Sequence, residues 1–310
     1  MEDQHNLKDL EGAVCVVTGA NSGIGKATAK GLARLGARVV MVCRSPERGR
    51  DAQAEIQAVA ERAWPSHTDA VDLHIADLGI QEEIFSLGET LRAEYDRLDV
   101  LVNNARVLLG SREETPDGIE KTFAVNHLAP FLLTHLLLPL LKETAGRAGE
   151  ARVVTVSSEA HRSVSLNFDD LNAESGYNAL RAYGQSKLAN ILFTHELARR
   201  LQDTGVTANC VHPGVVATNL WRGSDWISRL ARLFTWFYKN PDEGANGVLY
   251  LAAAEDLNGV TGQYYDGTEA VNPSPDAYDE KAAARLWRES LDRVGLEVPA
   301  EEDDTVAGSP

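Results

Sequence analysis

Ala13-Val-Cys-Val-Val-Thr-Gly-Ala-Asn-Ser-Gly-Ile-Gly25 is the stretch of the chain that decides its fold. The run up to Thr18 is apolar and rich in β-branched residues, which predicts a buried strand. A glycine-rich loop follows, and a helical pattern then runs from Lys26 to Leu35. A second strand is predicted at Arg38-Val-Val-Met-Val-Cys43. The chain therefore opens with a strand, a loop, a helix and a strand, which together form a βαβ unit.

The alternation of strands and helices continues along most of the chain. Further strands are predicted at 71–76, 98–103, 152–157, 206–211 and 262–265, and helices at 46–63, 81–95, 118–141, 186–201 and 242–254. This alternation is typical of an α/β fold with a doubly wound parallel sheet, here of about seven strands flanked by helices. In such a sheet we expect the ligand crevice at the carboxyl ends of the strands.

The composition is that of an acidic, water-soluble protein. The 310 residues carry a formal net charge of −16, which argues against nucleic acid as a partner. Since no linker or composition break divides residues 10–290, we predict one domain over residues 1–295, followed by a disordered acidic tail at 296–310. The apolar run 128–141 contains two prolines and is too short to span a bilayer, so it is predicted to be a buried helix.

The cysteines and histidines show no spacing typical of a metal site, and we predict no metal. The three cysteines, at positions 15, 43 and 210, form no Cys-x-x-Cys pair, which is typical of a reducing compartment. The polar N-terminus shows no secretory signal, so a cytoplasmic location is predicted. His127, His161 and His212 match neither a metal spacing nor a catalytic triad and are predicted to be core or surface residues.

The glycine-rich loop has the chemistry of a phosphate-binding site. Gly19, Gly23 and Gly25 lie between a strand and a helix N-terminus, where free N–H groups and the helix dipole attract an anion. Their spacing is Gly-x-x-x-Gly-x-Gly rather than the Gly-x-Gly-x-x-Gly of other dinucleotide folds. A tight turn kept small for packing is the alternative, but the strand–helix context favours a dinucleotide.

The residues after the second and third strands indicate which dinucleotide binds. Folds of this kind place an acid after the second strand to bind the ribose 2′-hydroxyl of NAD. Here Cys43 holds that place and Arg44 follows; its guanidinium suits the 2′-phosphate of NADP(H), unless Arg44 is only a surface residue. Asp77-Leu78 is predicted to hold the adenine amino group, with a helix N-cap as the alternative role for Asp77.

Tyr183-Gly-Gln-Ser-Lys187 opens a helical pattern and carries a candidate proton donor. Residues four apart share a helix face, so the phenol of Tyr183 and the ammonium of Lys187 are predicted to lie side by side. A positive charge about 4 Å away is worth about 4 kcal/mol at an effective dielectric of about 20, enough to bring the pKa of a phenol from about 10 towards 7. Taken alone, such a pair is more often an exposed Tyr and Lys on a solvated helix face.

Several motifs, in order, give the chain a clear resemblance to the short-chain dehydrogenases/reductases over residues 10–270. They are Thr18-Gly-Ala-Asn-Ser-Gly-Ile-Gly25, Asn103-Asn-Ala105, Asn126, Ser157-Ser158, Tyr183-x-x-x-Lys187 and Pro213-Gly214. The residues in and around these motifs resemble those of the retinol dehydrogenase group, for example Val42-Cys-Arg44, Ser186-Lys-Leu-Ala-Asn190 and His212-Pro-Gly-Val-Val216. The resemblance implies a single-domain Rossmann-type fold and an oxidoreductase that uses a nicotinamide dinucleotide.

The resemblance also implies a role for each matched residue. Tyr183 is the general acid in reduction and the base in oxidation, while Lys187 lowers its pKa and contacts the nicotinamide ribose. Ser158 bonds the substrate oxygen, and Asn126 holds a water that links Lys187 to solvent. Pro213 begins a segment that holds the nicotinamide carboxamide. The whole predicted cofactor-binding set is Gly19, Asn21, Ser22, Gly23, Ile24, Gly25, Arg44, Asp77, Leu78, Asn104, Ala105, Tyr183, Lys187, Pro213, Gly214, Val216 and Thr218.

Arg106 departs from the family pattern, because relatives usually have glycine after Asn103-Asn-Ala105. A glycine there lets the backbone approach the cofactor closely. The side chain of Arg106 can point outward, or its charge can meet a phosphate or an acidic group of the substrate. The sequence leaves these alternatives open.

The segment 219–240 is predicted to choose the substrate. It holds three of the five tryptophans, and Trp226, Leu230, Leu233 and Phe237 recur at helical spacing with arginines nearby. A lid over an apolar pocket is favoured, packing on the core or on a partner subunit comes next, and a basic helix on a membrane surface comes last. Each alternative fits a bulky apolar substrate.

We therefore expect an enzyme that interconverts a lipophilic aldehyde or ketone and its alcohol with NADP(H), NAD being less favoured. A retinal-like substrate fits, and a steroid or xenobiotic carbonyl is the nearest alternative. A redox-inactive, dinucleotide-binding regulator is the alternative from another class, although it does not need the set Asn126, Ser158, Tyr183 and Lys187. A homodimer is also possible, because helices near 112–141 and 180–201 form dimer faces in many relatives.

Overall fold

The fold is built on an eight-stranded sheet, in the order β3-β2-β1-β4-β5-β6-β7-β8. The computed structural model describes residues 6–214 and 241–297. The strands are β1 (Val14–Thr18), β2 (Arg38–Cys43), β3 (Val71–Ile75), β4 (Val100–Asn103), β5 (Ala151–Val156), β6 (Val206–His212), β7 (Tyr264–Asp266) and β8 (Glu269–Ala270). The first seven pair in parallel and β8 is antiparallel. The predicted α/β class is confirmed; the eighth strand was not predicted, since it is a two-residue return of the chain after Gly267.

Seven α-helices flank the sheet in the described part of the chain. They are α1 (Gly23–Arg34), α2 (Pro46–Ala63), α3 (Gln81–Glu94), α4 (Lys121–Ala148), α5 (Ala179–Arg200), α6 (Pro241–Ala253) and α7 (Glu280–Arg293). One apolar cluster lies between the sheet and α3, α4, α5 and α7, and a second lies between the sheet and α1, α2 and α6. Both faces of the sheet are therefore covered, as the run of buried residues in its parallel strands requires.

The helix α4 is longer than its sequence pattern predicted. Its 28 residues make it the one helix in the described ranges that is long and apolar enough to cross a membrane. However, 78% of its most apolar window is buried inside the fold, so it is a core helix, as predicted. The argument that it is too short was wrong, because Pro130 and Pro139 do not end it. A wide π-helical turn at Ala124–Leu128 precedes Pro130.

The helix α5 begins earlier than predicted, so that Tyr183 lies in its second turn rather than at its start. Asn178 caps it, with the side-chain oxygen accepting a hydrogen bond from the Arg181 N–H at 3.0 Å. Of its 22 residues, 17 are buried, so the solvated-face alternative for Tyr183 and Lys187 is wrong.

The C-terminal helix α7 was not predicted. It packs along α5. The ring centroid of its Trp287 lies 5.0 Å from that of Phe131 and 6.0 Å from that of Phe193. The guanidinium of Arg200 lies 4.3 Å from the centre of the same indole. α7 thereby covers part of the face proposed for dimer contact, and a homodimer stays a prediction.

The first residue of the predicted tail, Leu296, belongs to the described residues and packs against the core. Residues 298–310 lie outside the described residues, so disorder there stays a prediction.

Replacing Trp287 by alanine is expected to lower the free energy of unfolding by about 3–5 kcal/mol, because it leaves a cavity among the rings of Phe131, His135 and Phe193. Chemical denaturation measures this difference. Lys281→Ala, on the exposed side of the same helix, is the matched control and should stay within about 0.5 kcal/mol of wild type. Equal stability of the two variants would show that α7 does not hold the fold together.

Candidate active site

An open cleft of about 330 Å³ lies at the carboxyl ends of β1 to β4. The predicted residues that line it are Gly19, Asn21, Ser22, Gly23, Ile24, Arg44, Asp77, Leu78, Asn104 and Ala105. Lining residues that were not predicted to bind the cofactor are Val42, Arg48, Ala76, Arg106, Val107, Leu108 and Val125. Of the other predicted cofactor residues, Val216 and Thr218 lie outside the described residues, as does the segment 219–240. The cleft is at the point where the strand order reverses, which is where α/β sheets bind ligands.

The glycine-rich loop has the shape of a phosphate cradle. Gly23 adopts a φ of +55° and has open space where a side chain would stand. A Cβ on Gly25 would collide with the carbonyl oxygen of Gly19, so the loop can fold back on itself only with glycine there. Ser22 makes no side-chain cap to α1, which leaves the first N–H groups of that helix available to an anion. These features fit the diphosphate of a dinucleotide.

Thr18 and Asn104 hold this loop against the end of β4. The Thr18 hydroxyl accepts hydrogen bonds from the N–H groups of Asn104 and Ala105, each at 3.0 Å. The side-chain amide of Asn104 donates to the carbonyl of Thr18 at 2.8 Å. Asn104 is therefore a brace of the cradle, and its direct contact with a cofactor stays a prediction.

Two guanidinium groups line the cleft beyond β2. Arg44 follows the strand, and Arg48 stands in the first turn of α2, where its N–H donates to the capping oxygen of Ser45 at 3.4 Å. The sequence analysis missed Arg48. Ser45-Pro46 is a typical helix start, and it could have shown that the side chain of Arg48 follows that of Arg44 one helical turn later.

The carboxylate of Asp77 accepts a hydrogen bond from the N–H of Gly79 at 2.9 Å. The N-cap position of α3 belongs to Ile80, so the alternative helix-cap role of Asp77 is wrong.

Tyr183 and Lys187 lie on one face of α5, as predicted. Only 6% of Tyr183 and 1% of Lys187 is exposed. The Lys187 Nζ lies 5.7 Å from the centre of the Tyr183 ring and donates a hydrogen bond to the carbonyl oxygen of Val156 at 2.8 Å. This bond ties the pair to the end of β5.

The charge of Lys187 depends on its surroundings. Burial lowers the pKa of the Lys187 ammonium to about 7, with the positive charge of Arg106 as the next cause, while Cys210 acts in the opposite direction. In the protein alone, the ammonium and the neutral amine are therefore both populated near neutral pH. The predicted lowering of the pKa of Tyr183 by Lys187 stays a prediction.

Asn126 stands in the π-helical turn of α4, a distortion that is common at functional sites. Its side-chain oxygen accepts a hydrogen bond from the Val107 N–H at 2.8 Å, and its amide donates to the Val107 carbonyl at 3.0 Å and to the Ser186 hydroxyl at 3.0 Å. Asn126 thus joins the loop after β4 to α5. The water that it was predicted to hold stays a prediction.

Ser158 follows β5 and begins a 3-10 turn, where its hydroxyl accepts from the Ala160 N–H at 3.3 Å. The imidazole of His161, fully buried, supports this turn. Because His161 Nε2 accepts from the Ser274 N–H at 3.0 Å, its Nδ1 carries the proton and donates to the Ser158 carbonyl at 2.7 Å. Sequence reasoning treated His161 only as a core or surface residue; it is a core residue that positions Ser158.

The other two histidines are core residues. His127 bonds the hydroxyl of Ser290 at 2.9 Å, and burial lowers its pKa to about 3. His212 is buried at the end of β6, directly before Pro213-Gly214. Among residues 6–214 and 241–297, no group of three His, Cys, Asp or Glu side chains is placed to hold a metal ion.

Comparison with known proteins finds a family for this arrangement. The family model described as short chain dehydrogenase matches residues 13–225. Retinol dehydrogenase 12 of Mus musculus is 44% identical over 288 residues, which is 93% of this chain and 88% of the mouse protein. Retinol dehydrogenase 13 of Homo sapiens is 43% identical over 298 residues, which is 94% of this chain and 87% of the human protein.

Solved structures share the fold along most of the chain. An uncharacterised protein from Mycobacterium paratuberculosis is 34% identical with a TM-score of 0.75, covering 95% of this chain and 97% of that one. The RhlG/NADP active-site complex of Pseudomonas aeruginosa is 26% identical with a TM-score of 0.63, covering 87% of this chain and 98% of that one.

Gly184→Ala is expected to reduce turnover while it leaves cofactor binding intact. A Cβ at this position would lie 2.8 Å from the carbonyl oxygen of Ala160, so the turn that carries Ser158 must move away from α5. We expect a loss of about 1–3 kcal/mol in unfolding free energy from this overpacking. Gly146→Ala, in open space on α4, is the control and should stabilise by about 0.5–1 kcal/mol. Full turnover in Gly184→Ala would mean that the close approach has no functional role.

Lys187→Met is expected to make the ligand-free protein more stable at low pH. The pKa of Lys187 is about 7 in the folded chain against an ordinary value of 10.5, so a buried charge must be carried below pH 7. We expect a gain of a few kcal/mol there, fading as pH rises towards about 10, where the unfolded chain also loses the proton. Urea unfolding across this range measures the gain. The control Lys281→Met should show no such pH dependence. If Lys187→Met also shows none, burial does not lower the pKa of Lys187.

Proposed function

We propose a function for the chain on the premise that it belongs to the short-chain dehydrogenase family, as the family model and the retinol dehydrogenase relatives show. Within that family it is an oxidoreductase of carbonyl or alcohol groups. We infer that it interconverts a lipophilic aldehyde or ketone and its alcohol, that its cofactor is NADP(H), and that Tyr183 transfers the proton.

The observation that carries this proposal is the buried pair Tyr183 and Lys187 at the same edge of the sheet as the phosphate-type cradle. A bound nicotinamide supplies or accepts the hydride in such a reaction. The chain must then orient the carbonyl and provide the proton. Ser158 would bond the carbonyl oxygen, Tyr183 would donate its proton to that oxygen, and the Lys187 ammonium would stabilise the phenolate left behind. In oxidation the same groups act in reverse.

The preference for NADP(H) rests on the charges at the end of β2. Arg44 and Arg48 line that part of the cleft, and Asp77, the acid beside them, is engaged with the N–H of Gly79. Guanidinium groups bind a 2′-phosphate in a bidentate manner, whereas an acid at the end of β2 would repel it.

The proposal of a lipophilic substrate rests on the names of the relatives, which are retinol dehydrogenases. A steroid or xenobiotic carbonyl is the alternative substrate class. The cytoplasmic location is likewise a proposal; Cys15, Cys43 and Cys210 are buried and unpaired, which agrees with a reducing compartment. A homodimer and contact of the segment 219–240 with a membrane surface remain proposals of lower weight.

Tyr183→Phe is expected to lower turnover by about 10²–10⁴-fold, because it removes the acid and base of the reaction. The measurement is NADPH oxidation with a panel of lipophilic aldehydes and ketones, accompanied by NADPH titration to show that binding survives. Tyr250→Phe removes a hydroxyl that bonds Asp256, outside the site, and should keep full activity.

Equal turnover by Tyr183→Phe and wild type would contradict the role given to Tyr183. If both proteins bind NADPH and neither turns over any member of the panel, the result favours the alternative of a dinucleotide-binding regulator.

Arg44→Asp is expected to move cofactor preference from NADPH towards NADH. The ratio of the two dissociation constants should change by about 10-fold or more, since a carboxylate replaces a phosphate-binding group. Arg50→Asp makes the same change of charge at an exposed position of α2 that does not line the cleft, and should keep the wild-type ratio. A wild-type ratio in Arg44→Asp would remove Arg44 from the 2′-phosphate site.

A further inference from the structure

Arg106 occupies a place in the cofactor cleft that the family pattern gives to glycine. Arg106 lines the cleft together with Gly19, Asn21 and Ser22 of the cradle. This place favours the two alternatives in which the charge of Arg106 meets an anion, namely contact with a phosphate and contact with an acidic group of the substrate.

The backbone on both sides of Arg106 is held in place. On one side, the N–H of Ala105 donates to the Thr18 hydroxyl at 3.0 Å. On the other side, Val107 exchanges two hydrogen bonds with the side chain of Asn126, at 2.8 and 3.0 Å. The backbone that carries Arg106 into the lining of the cleft is thus fixed on both sides.

The guanidinium of Arg106 lies close enough to Lys187 for its charge to act on that ammonium. The charge of Arg106 is the largest cause, after burial, of the lowered pKa of Lys187. The other groups that bear on Lys187 are Tyr183 on its own helix, Cys210 on β6 and His127 on α4. An anion bound in the cleft next to Arg106 would weaken the effect of its positive charge on Lys187.

We propose that Arg106 is an additional binding residue for the diphosphate of the dinucleotide, in the cleft that also contains the N-terminus of α1. The phosphate is favoured over a substrate acid because Arg106 shares its lining with the cradle of the glycine loop. This assignment of Arg106 rests on the proposed function, since it needs a dinucleotide in the cleft. One consequence is that the bound diphosphate, by offsetting the charge of Arg106, favours the ammonium form of Lys187 beside Tyr183.

The test is titration of NADPH and of NADH, in the absence of substrate, with wild type, Arg106→Gln and Arg106→Lys. Because both dinucleotides contain the diphosphate, Arg106→Gln should weaken both by about 10-fold or more and leave their ratio unchanged. Arg106→Lys, which keeps the charge, should recover part of the loss. Arg147→Gln, an exposed position on α4, controls for the change in net charge and should bind as wild type does.

Three results would overturn the assignment. Wild-type affinity or better in Arg106→Gln would show that Arg106 meets another group, such as a substrate acid, or obstructs the cleft. A loss confined to NADPH would place Arg106 at the 2′-phosphate instead. If wild type itself binds neither dinucleotide, the proposed function fails together with this assignment, and that result is distinct from the first two. Thermal unfolding of each variant shows that it is folded.

Discussion

The hydrogen bond from the Lys187 ammonium to the carbonyl oxygen of Val156, at 2.8 Å, is the contact around which the candidate site is built. A side chain that is 1% exposed carries its amine far from water, and such burial is unfavourable unless the amine has a partner. A second bond closes the same junction, because the Ser157 hydroxyl donates to the Lys187 carbonyl at 2.9 Å. Helix α5 therefore cannot slide along β5 without breaking both bonds. Because Tyr183 lies one turn before Lys187 on this helix, the two bonds also fix the position of Tyr183.

The phosphate cradle and the proton-transfer pair belong to one hydrogen-bonded network. Thr18 holds the turn after β4, Val107 at the far side of that turn bonds Asn126, and Asn126 bonds Ser186. The Ser186 hydroxyl in turn donates to the Tyr183 carbonyl at 2.7 Å. Thr18 and Tyr183 are thus joined through the backbone of the turn after β4 and the side chains of Asn126 and Ser186.

The sequence was sufficient for the parts of the fold that depend on local pattern. The run before Thr18, the glycines after it and the spacing of Tyr183 and Lys187 are each readable within a few residues, and the structure brings them to one edge of the sheet. Helix α7 was missed although its sequence carries local signals, since Asp279 caps it and Ala283, Leu286, Trp287 and Leu291 recur at helical spacing. The charge of Lys187, by contrast, could not be predicted from local pattern, because it depends on burial and on Arg106 from another element. Val216 and Thr218 lie outside the described residues, so their predicted roles stay predictions.

The proposed function requires that a hydride passes from a bound nicotinamide dinucleotide to a carbonyl carbon at this edge of the sheet. Reduction of a lipophilic aldehyde with NADPH that carries deuterium in both positions at C4 of the nicotinamide tests this transfer most directly, with the alcohol analysed by mass spectrometry and NMR. Deuterium is expected on the former carbonyl carbon, and none is expected there when unlabelled NADPH is used in heavy water. Alcohol that lacks the deuterium of the cofactor, or that takes carbon-bound deuterium from the solvent, would contradict it.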